Sequence, residues 1–254
     1  MTAVRPTRTA AAYIGGKRQL ASTLTAKIET IPHTIYAEPF VGMGGVFFRR
    51  AMKPRTEAIN DLSKDVATFF RVLQRHYQAL MDMLKWQVTS RSEYQRLADQ
   101  DPDTLTDLER AARFLYLQRL TFGGKVASRV FGIDTGSPAR FDITKLGSIL
   151  EEAHERLAGV WIECLPYAEF IRRWDRPGTL FYLDPPYFGT EHYYGRDLFK
   201  RDDFQALADV LKAIQGRFIL TVNDVPEIRE IFSFAEIETA NLTYTAGGAG
   251  KPSP

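Results

Sequence analysis

The stretch Leu180-Phe181-Tyr182-Leu183-Asp184-Pro185-Pro186-Tyr187-Phe188 constrains this chain more than any other. Its apolar run predicts a buried strand, and two prolines then end it, because neither can donate a ladder hydrogen bond. The strand therefore stops on a carboxylate, and the residue before each proline is pushed toward extended backbone. Asp184 and the Pro185 carbonyl are acceptors able to converge on one amino group. Tyr187 and Phe188 offer flat faces on which a planar ring could stack. Acceptors for an exocyclic amine beside a stacking platform suit chemistry on a base. A plain Asp-Pro turn closing a strand fits the same residues equally well.

At 254 residues the chain is long enough for one large domain, or for a core domain with an inserted lobe. No apolar run reaches the length of a membrane span, and Met1-Thr2-Ala3-Val4-Arg5-Pro6 lacks the apolar core of a signal peptide, which predicts a cytoplasmic protein. A single cysteine, Cys164, excludes an intramolecular disulfide and a Cys-based zinc site; at a strand end it is expected to be a small buried apolar residue. His33, His76, His154 and His192 show no ligand spacing, so no metal is expected. A net charge of +2 is too small to point to nucleic acid by itself; its distribution says more.

Strand and helix patterns alternate in the first part of the chain. Tyr13-Ile14-Gly15-Gly16-Lys17-Arg18 leads into a helical pattern that Pro32 closes. Residues 34–38 predict a strand running into Pro39-Phe40-Val41-Gly42-Met43-Gly44-Gly45, followed by a helix over 46–52. Strand, glycine turn and helix open a nucleotide-binding α/β unit. The spacing is G-x-G-G rather than the dinucleotide G-x-G-x-x-G, which disfavours NAD. Residues 57–61 predict a second strand ending in Asp61, about twenty residues after the first turn, where such a unit places a carboxylate on ribose hydroxyls. Taken alone Asp61 would more often cap a helix over 62–73, but the glycine turn before it favours the ligand role.

From about 75 to 159 the alternation lapses. Helical patterns over 77–85 and 108–120 flank a basic, glycine-containing loop, Thr121-Phe122-Gly123-Gly124-Lys125-Val126-Ala127-Ser128-Arg129-Val130-Phe131-Gly132. Arg110, Arg113, Arg119, Lys125, Arg129 and Arg140 meet few acids there, and their interleaving with Phe122, Phe131 and Phe141 suits phosphate contact and insertion into a groove. The acidic stretch 99–107 is expected to face solvent. The rhythm returns with a helix over 143–157, a strand over 160–164, a helix over 167–174 and the strand over 179–183. Then come a loop carrying His192, Tyr193 and Tyr194, a helix over 202–214, a strand over 217–222, a turn at Asn223-Asp224-Val225-Pro226, a helix over 227–232 and a strand over 234–239.

In this order the motifs resemble the Dam-type family of DNA adenine-N6 methyltransferases, over nearly the whole chain. Tyr13-Ile14-Gly15-Gly16-Lys17-Arg18 is similar to that family's N-terminal cofactor motif, Glu38-Pro39-Phe40-Val41-Gly42-Met43-Gly44-Gly45 to its glycine-rich turn, Asn60-Asp61-Leu62 to its acidic second-strand motif, and Asp184-Pro185-Pro186-Tyr187 to its catalytic tetrapeptide. The resemblance implies an α/β, Rossmann-like SAM-dependent methyltransferase fold with a mostly helical target-recognition insert. Residues 1–75 and 160–254 would form the catalytic domain and 76–159 the insert. It implies S-adenosylmethionine (SAM) as cofactor, with Tyr13, Lys17, Glu38, Phe40, Gly42, Gly44, Asp61 and Asp184 around it. Asp184, Pro185, Pro186 and Tyr187 would be catalytic, and Arg119, Phe122, Lys125 and Arg129 would contact double-stranded DNA.

A bacterial or phage setting, including restriction–modification, and a monomer or weak dimer are implied with it. Leu120-Thr121-Phe122-Gly123-Gly124 stands where the family has a segment of the Arg-Thr-Phe-Asn-Gly type, so Gly123 replaces its Asn. After Thr245 the chain runs Ala246-Gly247-Gly248-Ala249-Gly250 rather than into a last apolar strand, which leaves an exposed sheet edge as the expectation. Cytosine-N4 methylation is the near alternative, although a tetrapeptide beginning with Ser is its commoner form. A catalytically impaired DNA-binding homologue and an NAD-dependent oxidoreductase are the others.

Overall fold

The computed structural model describes residues 1–13, 20–126, 129–133, 136, 138–189 and 199–240. In chain order these form β1 (Thr2–Ala3), α1 (Ala21–Thr30), β2 (Ile35–Glu38), β3 (Met52–Lys53), β4 (Thr56–Asn60), α2 (Lys64–Arg75), α3 (Tyr77–Leu84), α4 (Arg91–Asp99), α5 (Asp107–Leu120), α6 (Ile143–Arg156), β5 (Trp161–Glu163), α7 (Tyr167–Trp174), β6 (Thr179–Leu183), α8 (Asp203–Ala213), β7 (Arg217–Leu220) and α9 (Pro226–Ile231). Lys17, His192, Tyr193, Tyr194 and the glycine-rich stretch from Ala246 lie outside the described residues.

Five strands form one parallel sheet in the order β5-β4-β2-β6-β7, with β1 and β3 in a separate antiparallel ribbon. Every residue of β6 is buried, as its unbroken apolar run demands. Side chains alternate between the faces. Tyr36, Ile59, Leu180 and Tyr182 point into a core covered by α1, α2, α5 and α6, while Ala37, Ala58, Phe181 and Leu183 point into a second core covered by α7, α8 and α9. The arrangement is a Rossmann-like α/β fold. The chain steps outward from β2 through β4 to β5, then returns to the other side of β2 with β6 and β7. Strand order thus reverses between β2 and β6, the place where such sheets hold ligands beyond the strand ends.

Between 76 and 159 the described elements are helical, apart from an isolated bridge between Thr121 and Phe131. These helices share the sheet's first core: Phe114 of α5 meets Phe69 of α2 at 5.8 Å between ring centres, and Leu146 and Leu150 of α6 join the same cluster. α5 is buried nearly all round, which marks it as the helix the others pack on. It starts at a reciprocal capping box between Thr106 and Glu109, and α4 starts on Ser90, whose hydroxyl accepts from Glu93 N at 3.1 Å. A buried ion network ties α6 to the sheet: the Glu57 carboxylate on β4 accepts from Arg50 at 2.7 Å and from Arg156 at 2.6 and 2.7 Å.

Several expectations give way here. Residues 46–52 make only a single 3-10 turn, Phe47–Arg49, because Arg50 leaves the helical path (ψ 135°) to bury its guanidinium against Glu57 and over the Tyr36 ring, 3.6 Å from its centre. α2 begins at Lys64 behind Ser63, so Asp61 is not its N-cap residue. Residues 234–239 are not a strand. Phe234 rests on Phe218 and Phe232, and Glu238 pairs with Lys27 of α1, so their side chains are used without a ladder. Cys164 is exposed rather than buried. α4 and the β1–β3 ribbon have no counterpart in the sequence reading. Among the described residues no helix is long and apolar enough to cross a membrane, and no three His, Cys, Asp or Glu side chains gather as metal ligands.

Candidate active site

A cleft of about 760 Å³ opens beyond the carboxyl ends of β2, β4 and β6. Its walls bring together Tyr13, Glu38, Phe40, Gly42, Asp61, Asp184 and Pro186, residues drawn from four separate stretches of sequence. Gly44, Pro185 and Tyr187 are not on the wall. Pro185 is buried and Tyr187 is half-buried.

The glycine turn after β2 is built from the inside. Gly42 has φ of +50°, and a Cβ there would fall 2.9 Å from the Tyr13 ring; Gly44 has φ of +72°, and a Cβ would fall 2.6 Å from the Phe48 ring. Both positions therefore exclude a side chain twice over, by backbone and by space. Gly44 serves the turn's packing, and Gly42 lets Tyr13 lie on the turn. Asp61 holds this turn: its Oδ2 accepts from Gly42 N at 3.0 Å and its Oδ1 from Ser63 N at 2.9 Å. Burial pushes the Asp61 carboxyl up to about 6, against those two N–H groups, which favour the charged form. Asn60 beside it is a clamp whose part the sequence did not reveal. Its side chain donates to Pro39 O (2.9 Å) and Leu165 O (3.0 Å) and accepts from Leu165 N (2.9 Å), locking the turns after β2 and β5 together.

Glu38 ends β2 with its side chain 1% exposed, yet it reaches the cleft wall. Its Oε1 accepts from the Tyr36 hydroxyl. Burial pushes its carboxyl up to about 8; the Tyr36 bond and Arg50 oppose this, and the charges of Asp184 and Glu57 add to it. An acid whose charged form is disfavoured by burial thus joins Asp184 on the cleft wall at the strand-order reversal. Asp184 itself, just past β6, is half-buried, with Oδ1 accepting from the Thr221 hydroxyl at 2.9 Å. Part of the wall is aromatic: Phe40, Tyr167 and Phe199 have ring centres 5.5 to 5.9 Å apart. Tyr167 and Phe199 were not singled out in the sequence. Tyr167 stands shortly after the third strand end, a position that could have flagged it.

The basic insert is less exposed than its charge suggests. Arg110 pairs with Asp65 at 2.6 Å and Asp103 at 2.8 Å, and Arg113 donates to the carbonyls of Leu97, Ala98 and Gln100, closing the end of α4. Neither is an open phosphate contact, and Asp103 of the acidic stretch, still exposed, is tied to α5 through Arg110. Arg119 lines the cleft and donates to Arg140 O and Ala10 O. Arg129 lies over the Phe114 ring at 5.8 Å, with its Nε buried and without a hydrogen-bond partner. Lys125 is half-buried. Phe122, by contrast, is 57% exposed on a loop closed by its own N–H to Val130 O at 2.9 Å. Gln118 joins this loop to the cleft by donating to Ala12 O (2.9 Å) and Gly124 O (2.7 Å).

Comparison with known proteins places this geometry. The chain is 27% identical over 256 residues to "Type II methyltransferase M1.LlaDCHI" of Lactococcus lactis subsp. cremoris, covering 92% of this chain and 88% of that protein. It is 21% identical to "Type II methyltransferase M.CviBI" of Paramecium bursaria Chlorella virus NC1A, covering 78% of this chain and 76% of the relative. It is 26% identical to the "DNA N-6-adenine-methyltransferase" of Escherichia phage P1, where the match covers 77% of this chain but 27% of the longer phage protein. Residues 13–246 match the family described as "D12 class N6 adenine-specific DNA methyltransferase", a span that holds the glycine turn, Asp61, the insert and the Asp-Pro-Pro-Tyr turn. The chain belongs to the D12 class of N6 adenine-specific DNA methyltransferases, and its activity is methylation of adenine N6 in DNA.

Proposed function

We propose that the cleft binds SAM and that Asp184 presents to it the N6 amine of an adenine turned out of duplex DNA. The observation that carries this reading is the convergence of Asp184, Glu38 and Asp61 from three adjacent strand ends on one cleft walled by Phe40 and Tyr167. A volume of about 760 Å³ is that of a cofactor-sized site. The donor set suits this cofactor. Glu38 is an acid that a nearby cation would ionise, Asp61 can accept from ribose hydroxyls, and the rings suit a planar base. Tyr13, Gly42 and Lys17 complete the cofactor side of the reading, with Gly44 shaping the turn rather than lining the cleft. When bound, SAM supplies a methyl group on a sulfonium, with a neutral thioether as its leaving group.

The protein's own share concerns the amine. Adenine's amino lone pair is delocalised into the ring and is a poor nucleophile. Acceptors from the Asp184 carboxylate and the Pro185 carbonyl favour a pyramidal nitrogen whose lone pair points along the line of transfer. Asp184 then stabilises positive charge as it develops on that nitrogen. Pro186 stiffens the turn and Tyr187 supplies a stacking face. Turning the base out costs on the order of a few kcal/mol. Residues 76–159 form the target-recognition insert in this reading, with Phe122 at the groove and Arg119, Lys125 and Arg129 around the loop base. Residues 1–75 and 160–254 carry catalysis. A cytoplasmic monomer or weak dimer acting in a bacterial or phage setting completes the reading.

The test is transfer of label from methyl-tritiated SAM to duplex DNA, followed by digestion to nucleosides. Label in N6-methyl-2′-deoxyadenosine supports the reading. Label confined to N4-methyl-2′-deoxycytidine, or no SAM-dependent transfer, overturns it.

A further inference from the structure

The turn after β7 reaches back to the Asp-Pro-Pro-Tyr turn. Thr221 N donates to Leu183 O at 2.9 Å, which carries the parallel ladder one step past β7 and sets the Thr221 side chain beside Asp184. Thr221 Oγ1 then lies 2.9 Å from Asp184 Oδ1, 3.1 Å from the Tyr182 hydroxyl and 3.3 Å from Leu183 O. A hydroxyl has one proton to give. A carboxylate is the stronger acceptor, so the proton goes to Asp184 and the Tyr182 O–H donates to Thr221 in turn. Burial holds the Tyr182 phenol well above its usual range, which keeps it a donor.

Two residues on, Asn223 holds the other end of the same turn. Its Oδ1 accepts from Phe188 N at 2.8 Å and its Nδ2 donates to Phe188 O at 3.1 Å. One amide side chain thus pairs with both backbone groups of Phe188, as a neighbouring strand would. The segment between the two ends needs such help, because Pro185 and Pro186 have no N–H with which to anchor it.

We propose that Thr221 and Asn223 are positioning residues that hold the Asp-Pro-Pro-Tyr turn at both ends, Thr221 by orienting the Asp184 carboxylate and Asn223 by fixing the backbone at Phe188. This rests on the role given to Asp184 above. Neither residue need touch substrate. Their effect is to keep the acceptors from swinging out of line, which is a kcat effect rather than a binding effect.

The test compares Thr221→Val, Thr221→Ser and Asn223→Ala with Asp184→Asn in single-turnover methylation. Equilibrium binding of SAM and of duplex DNA and a thermal melt are measured for each. Thr221→Val keeps the shape and removes the hydroxyl; its rate is expected to fall by about ten- to a hundredfold, the worth of one hydrogen bond to a charged group. Both binding constants are expected to stay within about twofold, and Thr221→Ser to restore most of the rate. Asn223→Ala is expected to lower the rate in the same way. If Val does not fit, Thr221→Ala reads out the same loss. A Thr221→Val enzyme with the parent rate overturns the inference. So does a loss that the Ser variant fails to rescue and that weakens binding equally, since that is a structural effect. If Asp184→Asn also keeps the parent rate, the role of Asp184 falls; if it alone is inactive, only the positioning role falls.

Discussion

Glu38→Gln separates the stability of this protein from its chemistry. The Glu38 carboxyl is pushed by burial from an ordinary 4.5 to about 8. That rise means that ionising this group is roughly 5 kcal/mol harder in the folded chain than in the unfolded one. The sign follows from proton linkage. Between 4.5 and about 8 the folded state holds a proton that the unfolded state has released, so stability falls as pH rises through that window. The contribution is complete below 4.5 and is lost as pH passes about 8, with a slope of about 1.4 kcal/mol per pH unit at most. The substituted amide cannot ionise, and its carbonyl oxygen can still accept from Tyr36. The variant is therefore expected to be more stable than the parent at about pH 8, by up to a few kcal/mol, with the gap closing toward about pH 5.

Function moves the other way. A cationic cofactor beside Glu38 favours the charged form, so below about 8 its binding should expel a proton from the parent enzyme. Affinity of the parent for SAM is expected to rise with pH toward that value, and affinity of the variant to be weaker and flat. Urea unfolding across this pH range and calorimetric binding in buffers of different ionisation heat read both quantities. The difference between the two proteins isolates Glu38 from every other titrating group. Parallel stability slopes, or equal proton release on binding, would refute the reasoning.

Glu57→Ala leaves the guanidiniums of Arg50 and Arg156 buried without their shared carboxylate; urea unfolding is expected to show a loss of about 3–5 kcal/mol, and a change under about 1 kcal/mol would count against the network. Gly44→Ala must place a Cβ 2.6 Å from the Phe48 ring at φ of +72°, whereas Gly123→Ala meets nothing within 4 Å at φ of +68°. Gly123→Ala is expected to cost about 1–2 kcal/mol from backbone alone, and Gly44→Ala clearly more, with thermal melts of both variants as the measurement.

The parts of the site that were legible in the sequence share a form. Glu38, Asp61 and Asp184 each stand at or just past the end of a strand pattern, before a turn signal, and a parallel sheet gathers such ends on one edge. Contacts between distant stretches were not legible. Thr221 read as part of a strand and Asn223 as an ordinary turn, because their meaning depends on β7 lying beside β6. Arg110 and Arg113 misled for a related reason: a one-dimensional charge pattern does not show that Arg110 pairs with Asp65 and Asp103, or that Arg113 spends its donors on the carbonyls of Leu97, Ala98 and Gln100. Residues 234–239 alternate like a strand but have their side chains taken by Phe218 and Lys27. For α4 the signal was present, since Ser90 and Glu93 have the spacing of a cap, and the polar face hid it.

In the proposed function Asp184 does its work on the amine and not in holding the fold or the DNA. Single-turnover methyl transfer by Asp184→Ala, measured beside its equilibrium binding to the same duplex, tests this most directly. The expected result is transfer lost by at least about a hundredfold with DNA binding within about twofold of the parent. Transfer at the parent rate, or loss of transfer matched by loss of DNA binding, would contradict the account.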